Sequence, residues 1–353
     1  MKNREETTMP EPKTTNKIKV EDMVEDILNT IERDREREII SRRFGLFDRK
    51  ETLEQIGELL GITRERVRQL EKAVMTRLKA SAANGLPHIK DTQQLFTEQL
   101  RSFGGVARVS DLANRISPSS NRIDQARVSF LAQLAPKMAV IDENDFFHHS
   151  VGLAALHSEK QIREQVNAII EAIKKIGEPV TIDKVAEAVK DSDVKHVQAL
   201  ASTSKQLATL NNRWGLIKWP MVNPKNIRDK IYVILHDSGK PMHFNEIAKS
   251  IKDSSFRRKD VTTQAIHNEL IKDKRFVLIG RGIYALKEWG YDKGTVADII
   301  SKVLKKAGEP LHRDEIVKRV LKSRQVKETT ILLNLQGKNQ FKRVAKATYT
   351  LAE

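Results

Sequence analysis

Residues 52–79 read T-L-E-Q-I-G-E-L-L-G-I-T-R-E-R-V-R-Q-L-E-K-A-V-M-T-R-L-K, and their spacing decides the N-terminal fold. Thr52 is a good helix N-cap, and Leu53, Ile56, Leu59 and Leu60 follow it at helical spacing. Gly61 supplies a left-handed turn residue, and Thr63 caps a second helix. On that helix Val67, Leu70, Val74 and Leu78 share one face and predict a core contact. Working upstream, Val20, Met23, Val24, Ile27, Leu28 and Ile31 predict an amphipathic helix. Another passes through Ile39, Ile40 and Phe44 and stops near Gly45. Four helices in this order, the last two joined by a tight glycine turn, predict a helix-turn-helix.

The face of the helix 64–79 opposite its apolar stripe carries Arg64, Glu65, Arg68, Gln69 and Lys72. An arginine can fork onto guanine, a glutamine can pair an adenine edge, and a glutamate can accept from cytosine. A helix that enters the major groove by its N-terminal end presents its base readers in this region. The candidate DNA-contacting set is Thr63, Arg64, Glu65, Arg66, Arg68, Gln69 and Lys72. An ordinary charged surface would carry a similar string, so spacing alone leaves both readings open.

Residues 21–80 closely resemble region 4 of sigma-70 family factors. The likeness runs through Arg35 to Phe44-Gly45-Leu46, Thr52-Leu53-Glu54, Ile56-Gly57 and the string Thr63 to Glu71. The resemblance implies a helix-turn-helix that reads the promoter −35 element and docks on the flap of RNA polymerase. It implies that Arg64, Glu65, Arg68 and Gln69 contact bases and phosphates. Ala73 stands where the family usually has a basic residue. Nothing in the chain resembles the family's −10-binding and promoter-melting domain, so unaided promoter opening is not expected.

Downstream, a loose repeat of about 60–70 residues is marked by Gly177-Glu178-Pro179, Gly239-Lys240-Pro241 and Gly308-Glu309-Pro310. Each follows an apolar helix and precedes a short one: Ile182 to Val189, Phe244 to Ile251, Arg313 to Val320. In the clearest copy a helix from Val261 to Asp273 leads into two apolar strands, Arg275–Ile279 and Ile283–Leu286, joined by Gly280-Arg281-Gly282. Three helices and such a hairpin predict a winged helix. The last copy closes alike, with Phe341 to Val344 and Thr348 to Leu351, and residues 93–155 look like a divergent copy with Gly104-Gly105. The predicted fold class is mainly α, with tandem helix-turn-helix and winged-helix units and short β-hairpin wings. The expected division is a disordered tail at 1–17, helix-turn-helix at 18–80, linker at 81–92, and winged-helix-like units at 93–158, 159–222, 223–292 and 293–353.

Residues 224–291 resemble the HARE-HTH domain through Lys240 to Ala248, His267 to Ile271 and Phe276 to Leu286, and residues 294–353 resemble it more weakly. That winged helix is shared by the delta subunit of bacterial RNA polymerase, some restriction-type proteins and certain chromatin factors. The likeness implies action with DNA or transcription machinery. Here Arg257, Arg258, Lys259, Gln264, Asn268 and Arg281 are the candidate DNA contacts, and His267 lies on the same helix.

Composition agrees with a polyanionic partner. The 353 residues carry 63 Lys and Arg against 47 Asp and Glu, a net charge of +16. Residues 224–353 hold 28 basic and 15 acidic groups, so +13 of the total sits in the last third. There are no cysteines, which excludes disulfide scaffolds and thiolate metal sites. No window of about 18 uncharged apolar residues suggests a membrane span, and no signal core opens the chain, so a cytoplasmic, nucleoid-associated protein is expected.

Several motifs carry no expected chemistry. Gly280-Arg281-Gly282-Ile283-Tyr284-Ala285 fits a dinucleotide fingerprint, but a strand should follow it where such a site needs a helix. His312-Arg313-Asp314 resembles a kinase catalytic triplet, yet Arg319 occupies the required Asn position. His148-His149 lacks further ligands at metal spacing, His243 and His267 suit packing, and Trp214, Trp219 and Trp289 suit cores or interdomain contacts. No enzyme, cofactor, metal or small-molecule substrate is expected.

The expected partners are promoter-like double-stranded DNA and the RNA polymerase core. The leading reading is a bacterial, sigma-factor-like transcription protein that reads a −35-type element with the helix 64–79. Its basic C-terminal winged helices would hold flanking DNA. One alternative is an RNA polymerase accessory or anti-initiation protein acting by protein contacts. Another is a nucleoid or DNA-modification-associated binder.

Overall fold

The structure, a computed structural model, describes residues 19–352 apart from 120, 157, 257, 259, 292, 293, 324 and 325. The expected tail at 1–17 lies outside the described residues, as do Arg257 and Lys259. The chain divides into two compact units, Met1–Ile217 and Lys218–Glu353.

The first unit opens with α1 (Val20–Asn29), which buries Val20, Met23, Val24, Ile27 and Leu28 along one face. α2 (Asp34–Phe44) ends at Gly45, which takes the left-handed conformation. α3 (Leu53–Leu60) starts with a capping box. The Thr52 hydroxyl accepts from the Gln55 amide at 3.3 Å, and the Gln55 side chain accepts from the Thr52 amide at 2.9 Å. Gly57 must be a glycine for a different reason: a Cβ there would lie 2.7 Å from the Ile62 carbonyl oxygen. The turn to the next helix, α4 (Arg64–Asn84), is therefore packed onto α3. Ile39, Ile56 and Val67, all fully buried, form the small core of the three helices. Burying each contributes about 1.5–3 kcal/mol.

Further along α4, Val74, Leu78 and Ala82 belong to a different and larger core. Residues 81–92, the expected linker, are mostly helical. α4 runs on to Asn84, Leu86 and Ile89 are buried, and α5 (Ile89–Phe103) begins after four non-helical residues. Gly85 stops the helix, but apolar residues on both sides pull the connection into the core. One buried cluster extends from Val20 to Leu153, so 18–80 and 93–158 share a core.

The first unit continues with β1 (Val106–Arg108), α6 (Val109–Ile116), α7 (Arg122–Leu134), β2 (Met138–Ile141) and β3 (Ser150–Leu153). Next come α8 (Glu159–Ile176), β4 (Val180–Thr181), α9 (Ile182–Val189), α10 (Val194–Thr203), β5 (Leu207–Leu210) and β6 (Arg213–Leu216). Its two sheets run β1-β3-β2 and β4-β6-β5, antiparallel throughout.

Gly104 links the two halves. Its carbonyl is 2.6 Å from His196 Nδ1, its φ is +100°, and a Cβ would meet the Lys195 carbonyl oxygen at 2.6 Å. A Gly104→Ala chain combines positive-φ strain with a backbone clash and should lose about 2–4 kcal/mol of stability. Thermal unfolding checks this, and an unchanged midpoint would show that α10 does not bear on Gly104.

The second unit repeats the same order twice. First come α11 (Ile227–Ser238), β7 (Met242–His243), α12 (Phe244–Asp253), α13 (Thr263–Lys272), β8 (Phe276–Gly280) and β9 (Ile283–Leu286). Then come α14 (Val296–Ala307), β10 (Leu311–His312), α15 (Arg313–Ser323), α16 (Glu328–Gly337), β11 (Phe341–Ala345) and β12 (Thr348–Leu351). Its sheets run β7-β9-β8 and β10-β12-β11. The fold is mainly α, with tandem helix-turn-helix units and small antiparallel sheets. The predicted hairpins prove to be three-stranded. A short strand of two or three residues, ahead of the second helix of each copy, pairs with the last strand.

Candidate nucleic-acid interface

α4 is fixed at its start by Thr63, whose hydroxyl accepts from the Arg66 amide at 3.2 Å. With Val67, Val74 and Leu78 buried and Leu70 packed against the small core, the opposite face is set. Thr63, Arg64, Glu65, Arg66, Arg68, Gln69 and Lys72 are all exposed. The structure therefore gathers the whole N-terminal candidate set on the first three turns of one solvent-facing helix.

These side chains are engaged with one another. Arg68 reaches both Glu65 carboxylate oxygens, Nε to Oε2 at 2.8 Å and Nη2 to Oε1 at 2.6 Å. Gln69 donates to Glu65 Oε1 at 3.4 Å, Arg66 donates to Gln69 at 3.3 Å, and Arg64 pairs with Glu54 of α3 at 3.0 Å. The Arg68 guanidinium holds the Glu65 carboxyl below its ordinary value, and Glu65 raises Arg68 in turn. Glu65 is thus ionised across the neutral range. Exposed pairs of this kind contribute little to stability, so a ligand can displace them cheaply.

Ion pairs that sequence reasoning missed tie α2 to α4 and to the loop before α3. Arg43 of α2 pairs with Glu71 at 3.2 Å, Arg42 pairs with Glu51 at 2.9 Å, and Arg77 pairs with the buried Glu36. Buried Arg127 of α7 donates to the Leu46 carbonyl at 2.8 Å, to Asp124 at 3.1 Å and to Glu21 at 2.7 Å. Behind the helix-turn-helix, a cleft of about 1030 Å³ is lined by Arg43, Arg49, Lys50, Arg122 and His149 among others. Burial lowers the His148 and His149 imidazoles below their ordinary value, and His149 bonds the Ser129 hydroxyl at 3.0 Å. Among the described residues no group of three or more His, Asp or Glu could hold a metal ion, and no helix is long and apolar enough to cross a membrane.

In the second unit the candidates are spread over three places. Gln264 and Asn268 are exposed on α13, with the Gln264 amide donating to Asn268 at 3.1 Å. The helix is shorter than the expected 261–273, because Thr262 caps it and Lys272 ends it. Arg281 is exposed in the β8–β9 turn, and Arg258 lies in the segment before α13. Buried Lys230 donates to the Arg258 carbonyl at 2.7 Å, a support invisible in the sequence. His243, Phe244, His267 and Tyr284 form a series of tilted and edge-on ring contacts with centroid separations of 4.5–6.2 Å, a packing role for both histidines. Trp214 is buried in β6, and Trp289 packs against Val277, Ile279 and Ala285.

Residues 33–80, which comprise α2, α3 and most of α4, match the family described as Sigma-70, region 4. Similar proteins include the RNA polymerase sigma factor SigA of Listeria monocytogenes and that of Listeria innocua. Each is 43% identical over 61 residues, 17% of this chain and 16% of the relative. The chain thus spans about one-sixth of the length of these curated relatives, and the family match ends at residue 80.

Proposed function

We propose that this chain is a bacterial, cytoplasmic, sigma-factor-like transcription protein that reads a −35-type promoter element with α4. Lys218–Glu353 then holds flanking DNA through its phosphates. The observation that carries the reading is the exposed α4 face. Arg64, Glu65, Arg68 and Gln69 project from the N-terminal turns of a helix whose other side is buried, within the segment that matches region 4. Arginine and glutamine are the side chains that fork onto guanine and adenine edges, and base contacts carry specificity while phosphates position the protein. The +13 charge of residues 224–353 supports the second half of the proposal. The last two winged helices are read as HARE-HTH domains on the motifs of β7–β9 and their counterparts in β10–β12. RNA polymerase core is the expected protein partner. The test is a titration of the full chain against a −35-like and a shuffled duplex.

A second reading is favoured by one observation. Arg64, Arg66, Arg68 and Gln69 are each engaged with another side chain of the same helix-turn-helix. An accessory or anti-initiation protein that occupies RNA polymerase by protein contacts would have no need to release them. Equal affinity for both duplexes, together with retention of core polymerase in a pull-down, would favour it.

A further inference from the structure

We infer that the β11–β12 hairpin is the main phosphate-binding wing of the chain, seated on the backbone of double-stranded DNA. The inference rests on the proposed DNA-holding role of the second unit and assigns it to named residues. It comes from comparing two hairpins with one skeleton. In register, Phe276 faces Leu286, Val277 faces Ala285, Leu278 faces Tyr284 and Gly280 faces Ile283. Phe341, Lys342, Arg343 and Ala345 face Leu351, Thr350, Tyr349 and Thr348 in the same pattern, with the irregularity at the same place. Each turn also closes onto the helix after the first strand: the Gly282 carbonyl accepts from Phe244 at 3.0 Å, and the Ala347 carbonyl accepts from Arg313 at 2.7 Å.

The outer faces of these matched hairpins are opposite in character. On β8–β9, Val277, Ile279 and Ala285 are buried beneath Trp289 and Tyr291. On β11–β12 the counterpart of Val277 is Lys342. Every residue from Lys342 to Lys346 is exposed, and Val344 is 49% exposed. Lys342, Arg343 and Lys346 fall within five residues, and residues 340–352 contain no carboxylate. Among the described residues Arg343 donates to the Ala345 carbonyl at 3.1 Å. Lys342 and Arg343 lie on β11, and Lys346 opens the turn to β12.

The third helix of the last copy points the same way. α16 carries Glu328 as its one charge, so it offers a polyanion no cation. On α15, Arg313 and Arg319 pair with Asp314 and Glu315. A hairpin whose own residues carry cations and no carboxylate complements a phosphate backbone and reads no bases. Charged edge strands also protect sheets against self-association, and β11 is an edge strand. That simpler role makes a different prediction.

The experiment measures the affinity of the full chain for a −35-like and a shuffled duplex across a salt series. The K342Q/R343Q/K346Q chain should lower the slope of log affinity against log salt by about 2–3 on both duplexes, at about 0.9 per phosphate. R281Q should lower it by about 1 or less. The charge-keeping K342R/R343K/K346R chain should restore the slope, which separates lost charge from lost fold. A triple-glutamine slope equal to the unsubstituted one, or a charge-keeping chain that fails to restore it, would overturn the assignment. Failure of base reading shows differently, as equal affinity for the two duplexes whatever the slope does.

Discussion

An Arg127→Leu chain is expected to lose about 3–5 kcal/mol of stability, the cost of stranding a buried charge. Arg127 is 6% exposed and Asp124 is 3% exposed. Burial alone would push the Asp124 carboxyl up. Bonds from the Ser117 and Ser119 hydroxyls and the Arg127 guanidinium override this and hold it below its ordinary value. Removing the guanidinium leaves a buried carboxylate with two hydroxyls and no counter-charge. It also frees the Leu46 carbonyl in the turn between α2 and α3 and releases Glu21 of α1. For a unit of this size the thermal midpoint should fall on the order of 10 °C. Glu21→Gln is the control, because Glu21 is half exposed and its exposed contact is worth less than about 1 kcal/mol. Adding Asp124→Asn to Arg127→Leu should recover part of the loss, since the stranded charge is then gone. Equal midpoints for Arg127→Leu and Glu21→Gln would mean that the network does not hold the helix-turn-helix to α7.

The second large effect is on recognition. Arg68→Ala with Gln69→Ala removes two side chains able to make bidentate base contacts, each worth about 1–3 kcal/mol of discrimination. At 1.4 kcal/mol per tenfold, affinity for a −35-like duplex should fall about 30-fold or more. Affinity for a shuffled duplex should fall only a few-fold, from the loss of one cation. Stability should hardly change, because both residues are exposed and the Glu65 pair that they leave is solvated. Retained preference in this variant would exclude the N-terminal face of α4 as the reader.

Much of the helix-turn-helix was legible because its determinants are local. Thr52, Gly61 and Thr63 act within three residues of their position, and the apolar spacing of Val67, Val74 and Leu78 fixes which side of α4 faces water. Even the Glu65–Arg68 pair is an i, i+3 contact that spacing allows. Arg127 was not legible, since its partners Leu46 and Glu21 lie 81 and 106 residues away. Nor were β4, β7 and β10, where two residues cannot display an alternation. The string Asn84-Gly85-Leu86-Pro87 signals a helix stop, within the segment 81–92 expected as a linker. Only the tertiary burial of Leu86 and Ile89 shows that the stop lies inside a core. The opposite outer faces of β8–β9 and β11–β12 were present in the residues. They become comparable only once the register aligns Val277 with Lys342.

The most direct trial of the account is an equilibrium titration of the full chain, at about physiological salt, against a −35-like duplex and a shuffled one of equal length. The account predicts clearly tighter binding to the first, with the difference abolished by Arg68→Ala/Gln69→Ala. Equal affinity for the two duplexes, unchanged in that variant, would contradict it.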